Sequence, residues 1–414
     1  MKSKFRLLLA VLSVAAASAA PVSAEVVRIA YIDPLSGPFG AQGASLLQHF
    51  QFVAERANQE KWAGEHKLEV VGFDNKASPQ ESLSQLKAAI DQGYRYITQG
   101  GGSGAGLALI DAINKHNERN PGKEIVYLNH GAQDPDLTNS KCSFWHFRFL
   151  DNSDMKLEAL TTYMAKNQMI KKVYLIGQDY AYGQQISKSA KQYLASKRPD
   201  IKIAGDDLHP IGQVKDFSPY VAKIKASGAD VVVTGNWGQD FTLLIKAAKD
   251  AGLNIPFYAF SAIQYGAATP VGASGVGRLM SMFPWHANNE VSGGLDYVDA
   301  YKKKYKEDFF FMTPRTILAM LGQGIKDAKS NDPIKVAFAM EGMKIKGPVG
   351  DIEMRKQDHQ VQQPLYILSW SKANTKEVKY DMENTGFGWK TEKKIDAYVA
   401  AQPTSCQMTR PARS

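Results

Sequence analysis

The chain has 414 residues, with 50 Lys+Arg against 41 Asp+Glu, 44% hydrophobic residues, 34 Gly, 18 Pro and 2 Cys. This mixture excludes a disordered polymer, a collagenous repeat and a disulfide-dense mini-scaffold, and the length suggests two domains, each with its own core. The formal charge of +9 is not gathered into a Lys/Arg block of the kind that marks a nucleic-acid footprint, so nucleic acid is not an expected partner.

The first element is a leader. Lys2, Lys4 and Arg6 precede an apolar stretch from Leu7 to Ala20, and Val22-Ser23-Ala24 presents small residues where a signal peptidase reads. Residues 1–24 are therefore expected to be a signal peptide cleaved after Ala24, leaving an exported, periplasmic chain. No Cys follows the apolar run, so a lipid anchor is not indicated, and no later stretch approaches the ~18 apolar residues of a membrane span. In an oxidising compartment Cys142 and Cys406 either pair or stay free, and the compartment favours pairing. The 8 His form no H-x-x-H or H-E-x-x-H cluster, so neither a metal nor a cofactor is expected.

From Glu25 onward, short β-branched runs alternate with helical patterns. Val26–Ile32 reads as a buried strand closed by Asp33-Pro34, which is taken as a turn former rather than an acid. A helix is expected from about Gly43 to Gln59, and another opens at Ser78-Pro79-Gln80-Glu81, where a cap residue, a first-turn Pro and an early carboxylate coincide. Leu68–Phe73, Tyr94–Thr98, Ile125–Leu128, Lys172–Ile176 and Asp230–Thr234 continue the strands. Strand-helix-strand alternation in two blocks predicts an α/β protein: two Rossmann-like lobes with parallel sheets, joined by short ordered crossings.

In such sheets ligands bind beyond the carboxyl ends of the strands, where loops run into helix N-termini. Gly100-Gly101-Gly102-Ser103-Gly104-Ala105-Gly106 is one such loop. Its glycines allow close backbone approach, and free N–H groups with the helix dipole favour an anion such as a carboxylate. A dinucleotide fingerprint on Gly100, Gly102 and Ala105 would follow the wrong strand, and no Lys makes the loop a phosphate-binding one. Ser103, His130 and Asp134 could imitate a hydrolytic triad, but such a trio is found in almost any chain of this length, and cap or solvated-loop roles are the expectation. Tyr180, Tyr182, Trp237 and Phe241 sit in or just after later loops, as ordinary packing or as a flat apolar wall for a small ligand.

These loops, namely Pro34–Pro38, Ser103, Gly131–Thr138, Gln178–Gly183 and Lys215–Ser218, resemble in order and spacing those of the periplasmic solute-binding proteins of ABC importers. The resemblance is to the leucine/isoleucine/valine-binding family and runs over essentially the whole mature chain. It implies a type I periplasmic binding fold with a three-crossing hinge near Phe149–Asp151, Phe283–Trp285 and Asp358–Gln363. The lobes would comprise 25–150 and 285–360 in the first, and 151–284 and 361–414 in the second, the last with the tail.

The same resemblance implies a carboxylate held by Ser103 and the backbone of Gly131, Ala132 and Gln133, reached by Tyr182 from the other lobe, with Gln42 and Trp237 along the ligand body. It implies a monomeric non-enzyme whose partners are a small carboxylate or amino acid and the permease subunits in the inner membrane. Three positions depart from the family: Gln133 stands where Thr is usual, Trp237 where Tyr is common, and Ser261 where a Glu receives the α-ammonium. Since an unpaired buried ammonium is costly, the expected ligand is an amino-free acid, for example aromatic, unless Asp154 or Asp179 takes the ammonium. A true leucine/isoleucine/valine binder, a sensor for a separate receptor and an exported hydrolase using Ser103 are the alternatives.

Overall fold

The computed structural model describes residues 25–289 and 294–413, so the expected leader and its cleavage point lie outside the described residues. Strand β1 (Val26–Asp33) is buried from Ile29 to its end, as expected of a central strand covered on both faces. With β2 (Lys67–Asp74), β3 (Tyr96–Gln99), β4 (Val126–Asn129) and β5 (His146–Arg148) it forms a parallel sheet of order β2-β1-β3-β4-β5. The crossovers carry helices α1 (Gly40–Gln59), α2 (Pro79–Asp91) and α3 (Ser103–Arg119). Ser78 caps α2 by accepting the Glu81 N–H at 3.3 Å, with Pro79 in the first turn.

After β5 the chain passes through residues 149–152 into α4 (Ser153–Met164) and the second sheet. There β6 (Lys172–Gln178), β7 (Lys202–His209), β8 (Val231–Thr234), β9 (Phe257–Ala259) and β10 (Leu279–Phe283) run parallel in order β10-β9-β8-β6-β7. Helices α5 (Ala181–Lys197), α6 (Ser218–Ser227) and α7 (Gly238–Asp250) connect them. Beyond Phe283 the chain returns to the first lobe. Trp285 packs on Phe309, and the helix Leu295–Tyr305 lies on α1 through Phe52–Tyr301 at 5.2 Å and an Arg56–Asp296 pair at 2.7 Å.

A small antiparallel sheet of β11 (Lys344–Gly347), β12 (Gly350–Met354) and β13 (Val361–Gln362) precedes the third passage. The chain then adds β14 (Leu365–Lys372) and β15 (Phe387–Ile395) to the second sheet, both antiparallel to their neighbours. The expected parallel-sheet lobes are thus present, and these two strands add an antiparallel edge to the second: a short return beyond β13 leaves no helical crossover to turn β14 parallel. Trp370 of β14 faces Trp389 of β15 directly, rings 5.1 Å apart, which pins their register.

Past β15 the tail returns to the first lobe, where Thr404 donates to the Thr138 carbonyl at 3.1 Å and Arg410 pairs with Glu341 at 2.7 Å. Cys406 is disulfide-bonded to Cys142. One side chain gathers these passages: fully buried Arg148 donates to Gln360 Oε1 (2.6 Å), the Asp134 carbonyl (2.5 Å) and Thr138 Oγ1. Gln360 in turn donates to the Leu150 carbonyl at 2.9 Å, so the first and third passages are tied to the loop after β4.

Candidate ligand-binding cleft

The carboxyl ends of β1, β3 and β4 form the floor of a cavity between the lobes. Asp33, Pro34, Gly100–Ser103, His130, Gly131 and Gln133 line this floor, Tyr180, Tyr182, Trp237, Ser261 and Gln264 form the facing wall, and Leu150, Phe283, Phe310 and Phe311 close the back. Two contacts bridge the mouth: Gln42 Nε2 donates to Gln264 Oε1 at 2.6 Å, and the Phe39 and Trp237 rings lie 4.1 Å apart. A few placed polar groups within apolar walls suit a small organic ligand.

Ser103 opens α3, so its N–H is among those that no helical carbonyl can satisfy. Its hydroxyl accepts the Asp134 N–H at 3.1 Å, which joins two floor loops. Opposite, Tyr182 is buried with its hydroxyl beside Ser261 and no well-aligned hydrogen bond. Burial, the neighbouring Tyr180 and the charge of Asp151 raise that hydroxyl well above the ordinary tyrosine range, so it stays a proton donor. A helix N-terminus facing a phenol suits a carboxylate.

Asp33 and His130 meet on the floor. Asp33 Oδ1 accepts the N–H groups of Gly100 (3.3 Å) and Gly101 (2.7 Å), while Oδ2 lies 2.8 Å from His130 Nε2. The glycines make this possible: a Cβ on Gly100 would meet the His130 ring at 2.5 Å, and one on Gly101 would meet Asp33 Oδ1 at 2.7 Å. Asp151, whose charge acts on Tyr182, is itself fully buried and paired with Lys156 at 3.4 Å. Burial raises the pKa of Asp151 and lowers that of Lys156, and the ion pairing opposes both shifts.

A sequence model described as "Periplasmic binding protein" matches residues 26–376. The chain belongs to the periplasmic binding protein family. It is 32% identical over 405 residues, covering 95% of both chains, to "Leu/Ile/Val-binding protein homolog 4" of Brucella abortus. The closed structure of a leucine-, isoleucine-, valine-, threonine- and alanine-binding protein from Brucella ovis matches with a TM-score of 0.81 at 31% identity, over 94% of this chain and 100% of that one. A solute-binding protein of an ABC transporter from Rhodopseudomonas palustris, in complex with 3,4-dihydroxybenzoic acid, shares the fold. Its TM-score is 0.78 at 19% identity, over 90% and 98% of the two chains. This periplasmic binding protein is thus an ABC substrate-binding protein of the branched-chain family, and its relatives are solute binders. Among the described residues no helix is long and apolar enough to cross a membrane, and no cluster of three or more His, Cys, Asp or Glu is placed to hold a metal.

Within this family member, Gln42, Ser103, Gly131, Gln133, Tyr182, Trp237 and Ser261 all line the one cavity. Ala132 does not. Its N–H donates to Asn129 Oδ1 at 2.8 Å, and the Gly131 N–H does the same at 3.0 Å, so neither is a free donor for a carboxylate. Trp237 also spends its ring N–H on Tyr180, at 2.9 Å. Asp154 bonds Ser189 and Gln185, and Asp179 bonds Gln184, so neither alternative acid belongs to the cavity.

The sequence reading missed Asp33 and His130. Asp33 was read as a turn former and His130 as a cap or solvated loop residue, yet each is 1% exposed on the cavity floor. The signal available was the glycine pair Gly100-Gly101, whose lack of side chains makes room for both. The imagined triad is absent: His130 directs its ring nitrogens to Thr98 Oγ1 and Asp33, and Asp134 caps a turn by accepting the Asp136 N–H.

Proposed function

We propose that this protein captures an amino-free carboxylate with an apolar, aromatic-sized body and delivers it to an ABC permease in the inner membrane. The supporting observation is the charge balance of the cavity. Its acid, Asp33, already faces His130 at 2.8 Å, Ser261 stands in the wall where a carboxylate would be needed, and Asp151 behind is paired with Lys156. An ammonium entering here would be buried without an uncompensated partner, a loss of several kcal/mol in a dry site (on the order of 3–5). A carboxylate instead finds the N-terminus of α3 at Ser103 and the Tyr182 hydroxyl. The phenyl rings of Phe283, Phe310 and Phe311 and the indole of Trp237 supply the walls.

The passages at 149–152, after Phe283 and around 358–363 are the hinge, and the Gln42–Gln264 and Phe39–Trp237 contacts are made on closure. The protein acts as an exported monomer in the periplasm, without cofactor, its leader removed after Ala24. A leucine/isoleucine/valine ligand is favoured by the relatives' names, and it requires an ammonium to displace His130 from Asp33.

A thermal-shift panel on refolded, ligand-stripped protein tests the reading, setting leucine, isoleucine and valine beside benzoates, aliphatic carboxylates, urea and short amides. Ligand at 100 times its Kd stabilises by about 2.7 kcal/mol, which moves Tm visibly. A shift with amino-free acids is expected; a shift with amino acids alone overturns the proposal.

A further inference from the structure

We propose that the Asp33–His130 pair is a hydroxyl-reading subsite, so that the ligand is a hydroxylated acid rather than a plain hydrocarbon one. The inference deepens the reading above and rests on it.

Hydrogen-bond bookkeeping fixes the chemistry of the pair. Thr98 Oγ1 has a single proton, which it gives to the Leu128 carbonyl at 2.7 Å. The 2.9 Å contact between Thr98 Oγ1 and His130 Nδ1 must then be donated by Nδ1–H. Nε2 is left facing Asp33 Oδ2 at 2.8 Å. Two bare acceptors that close would repel, so Nε2 presents an N–H beside Oδ2. The alignment is nevertheless outside hydrogen-bond geometry, and Oδ2 and Nε2 are buried on the cavity floor with no directed hydrogen bond, the nearby Tyr31 hydroxyl giving its proton to the Gly43 carbonyl at 2.9 Å. Unlike Oδ2, Oδ1 already takes two N–H groups.

The cavity therefore offers an acceptor and a donor side by side. A hydroxyl fits, because it donates to Oδ2, accepts from Nε2–H and brings no charge. An ammonium donates to Oδ2 but has no lone pair for Nε2–H, and a second carboxylate accepts from Nε2–H but has no proton for Oδ2. Two further acceptors point the same way: Gln42 Oε1 and Gln133 Oε1 are buried on this cavity without a hydrogen bond. A ligand with only a carboxylate and a hydrocarbon body would leave all three oxygens unpaired, which is costly for buried acceptors.

Titration calorimetry on the ligand-stripped full-length mature protein separates the possibilities. The ligands are benzoate, 3- and 4-hydroxybenzoate, 3,4-dihydroxybenzoate, the aliphatic pair 4-methylpentanoate and 2-hydroxy-4-methylpentanoate, and leucine. At least one hydroxylated acid is expected to bind about tenfold or more tightly than its parent. That advantage should fall below about threefold in Asp33→Asn, and likewise in His130→Gln, each checked for folding by circular dichroism. Equal affinity for parent and hydroxylated acids in the unaltered protein, or an advantage that survives both variants, overturns this inference and leaves the proposed function standing. Binding of leucine alone, or of nothing in the panel, overturns both.

Discussion

Two histidines of the first lobe lie in similar aromatic shells and do different things. His49 of α1 is packed by Tyr301, Phe309 and Phe310, and His130 by Tyr31, Phe50 and Phe311. Each gives its Nδ1 proton to an oxygen, the Ser45 carbonyl at 2.7 Å or Thr98 Oγ1 at 2.9 Å. The difference is at Nε2. In His49 it receives the Phe310 N–H at 3.3 Å, so the ring is neutral and complete, and burial pulls its pKa down to about 4. In His130 it meets a carboxylate on a cavity wall, with bonding capacity unspent. A buried polar group whose bonds are all made specifies the fold, and one with bonds left over beside a cavity specifies a ligand.

The hardest test of this distinction is Arg148, a buried cation fully spent on Gln360, Asp134 and Thr138. Arg148→Met strands those acceptors, and urea unfolding should show a loss of about 3–5 kcal/mol. Asp33→Asn keeps the Oδ1 acceptor for the Gly100 and Gly101 N–H groups but removes the carboxylate facing buried His130, so it should cost less than Arg148→Met without being neutral.

Acid titration comes next. With the folded pKa of His49 near 4 against an unfolded 6.5, its contribution is complete above pH 6.5 and is lost as pH falls toward 4, because the unfolded chain takes the proton first. The loss is about 3 kcal/mol over that window, and His49→Asn should flatten this part of the stability–pH curve.

Smaller effects should confine themselves to binding. Tyr182→Phe removes a hydroxyl whose neighbour is Ser261 and which has no well-aligned hydrogen bond, so calorimetry should show affinity reduced about tenfold with Tm little changed. Gln42→Leu breaks the bond to Gln264 across the mouth. Stopped-flow release should quicken, with affinity falling about threefold.

How much of this was legible in the sequence follows the same division. Strands such as Val26–Asp33 and the Ser78-capped helix α2 announce themselves through local pattern, since burial on both faces demands β-branched runs and a cap demands Ser-Pro-x-Glu. Strands β14 and β15 did not, because their antiparallel attachment depends on where the chain re-enters the second sheet. Ser103 and Tyr182 were legible as residues at strand-to-helix loops. Asp33 was not: Asp-Pro signals a turn, and only the sheet order brings the ends of β1 and β4 together around Gly100 and Gly101. The departure at Ser261 was legible through family resemblance, while the pairing of Asp33 with His130 needed the fold.

A crystal structure of the mature protein with the acid that gives the largest thermal shift tests the central claim most directly. The account expects the carboxylate against Ser103 and Tyr182 and a ligand hydroxyl between Asp33 and His130. An α-ammonium bound to Asp33, with His130 turned away, would contradict it.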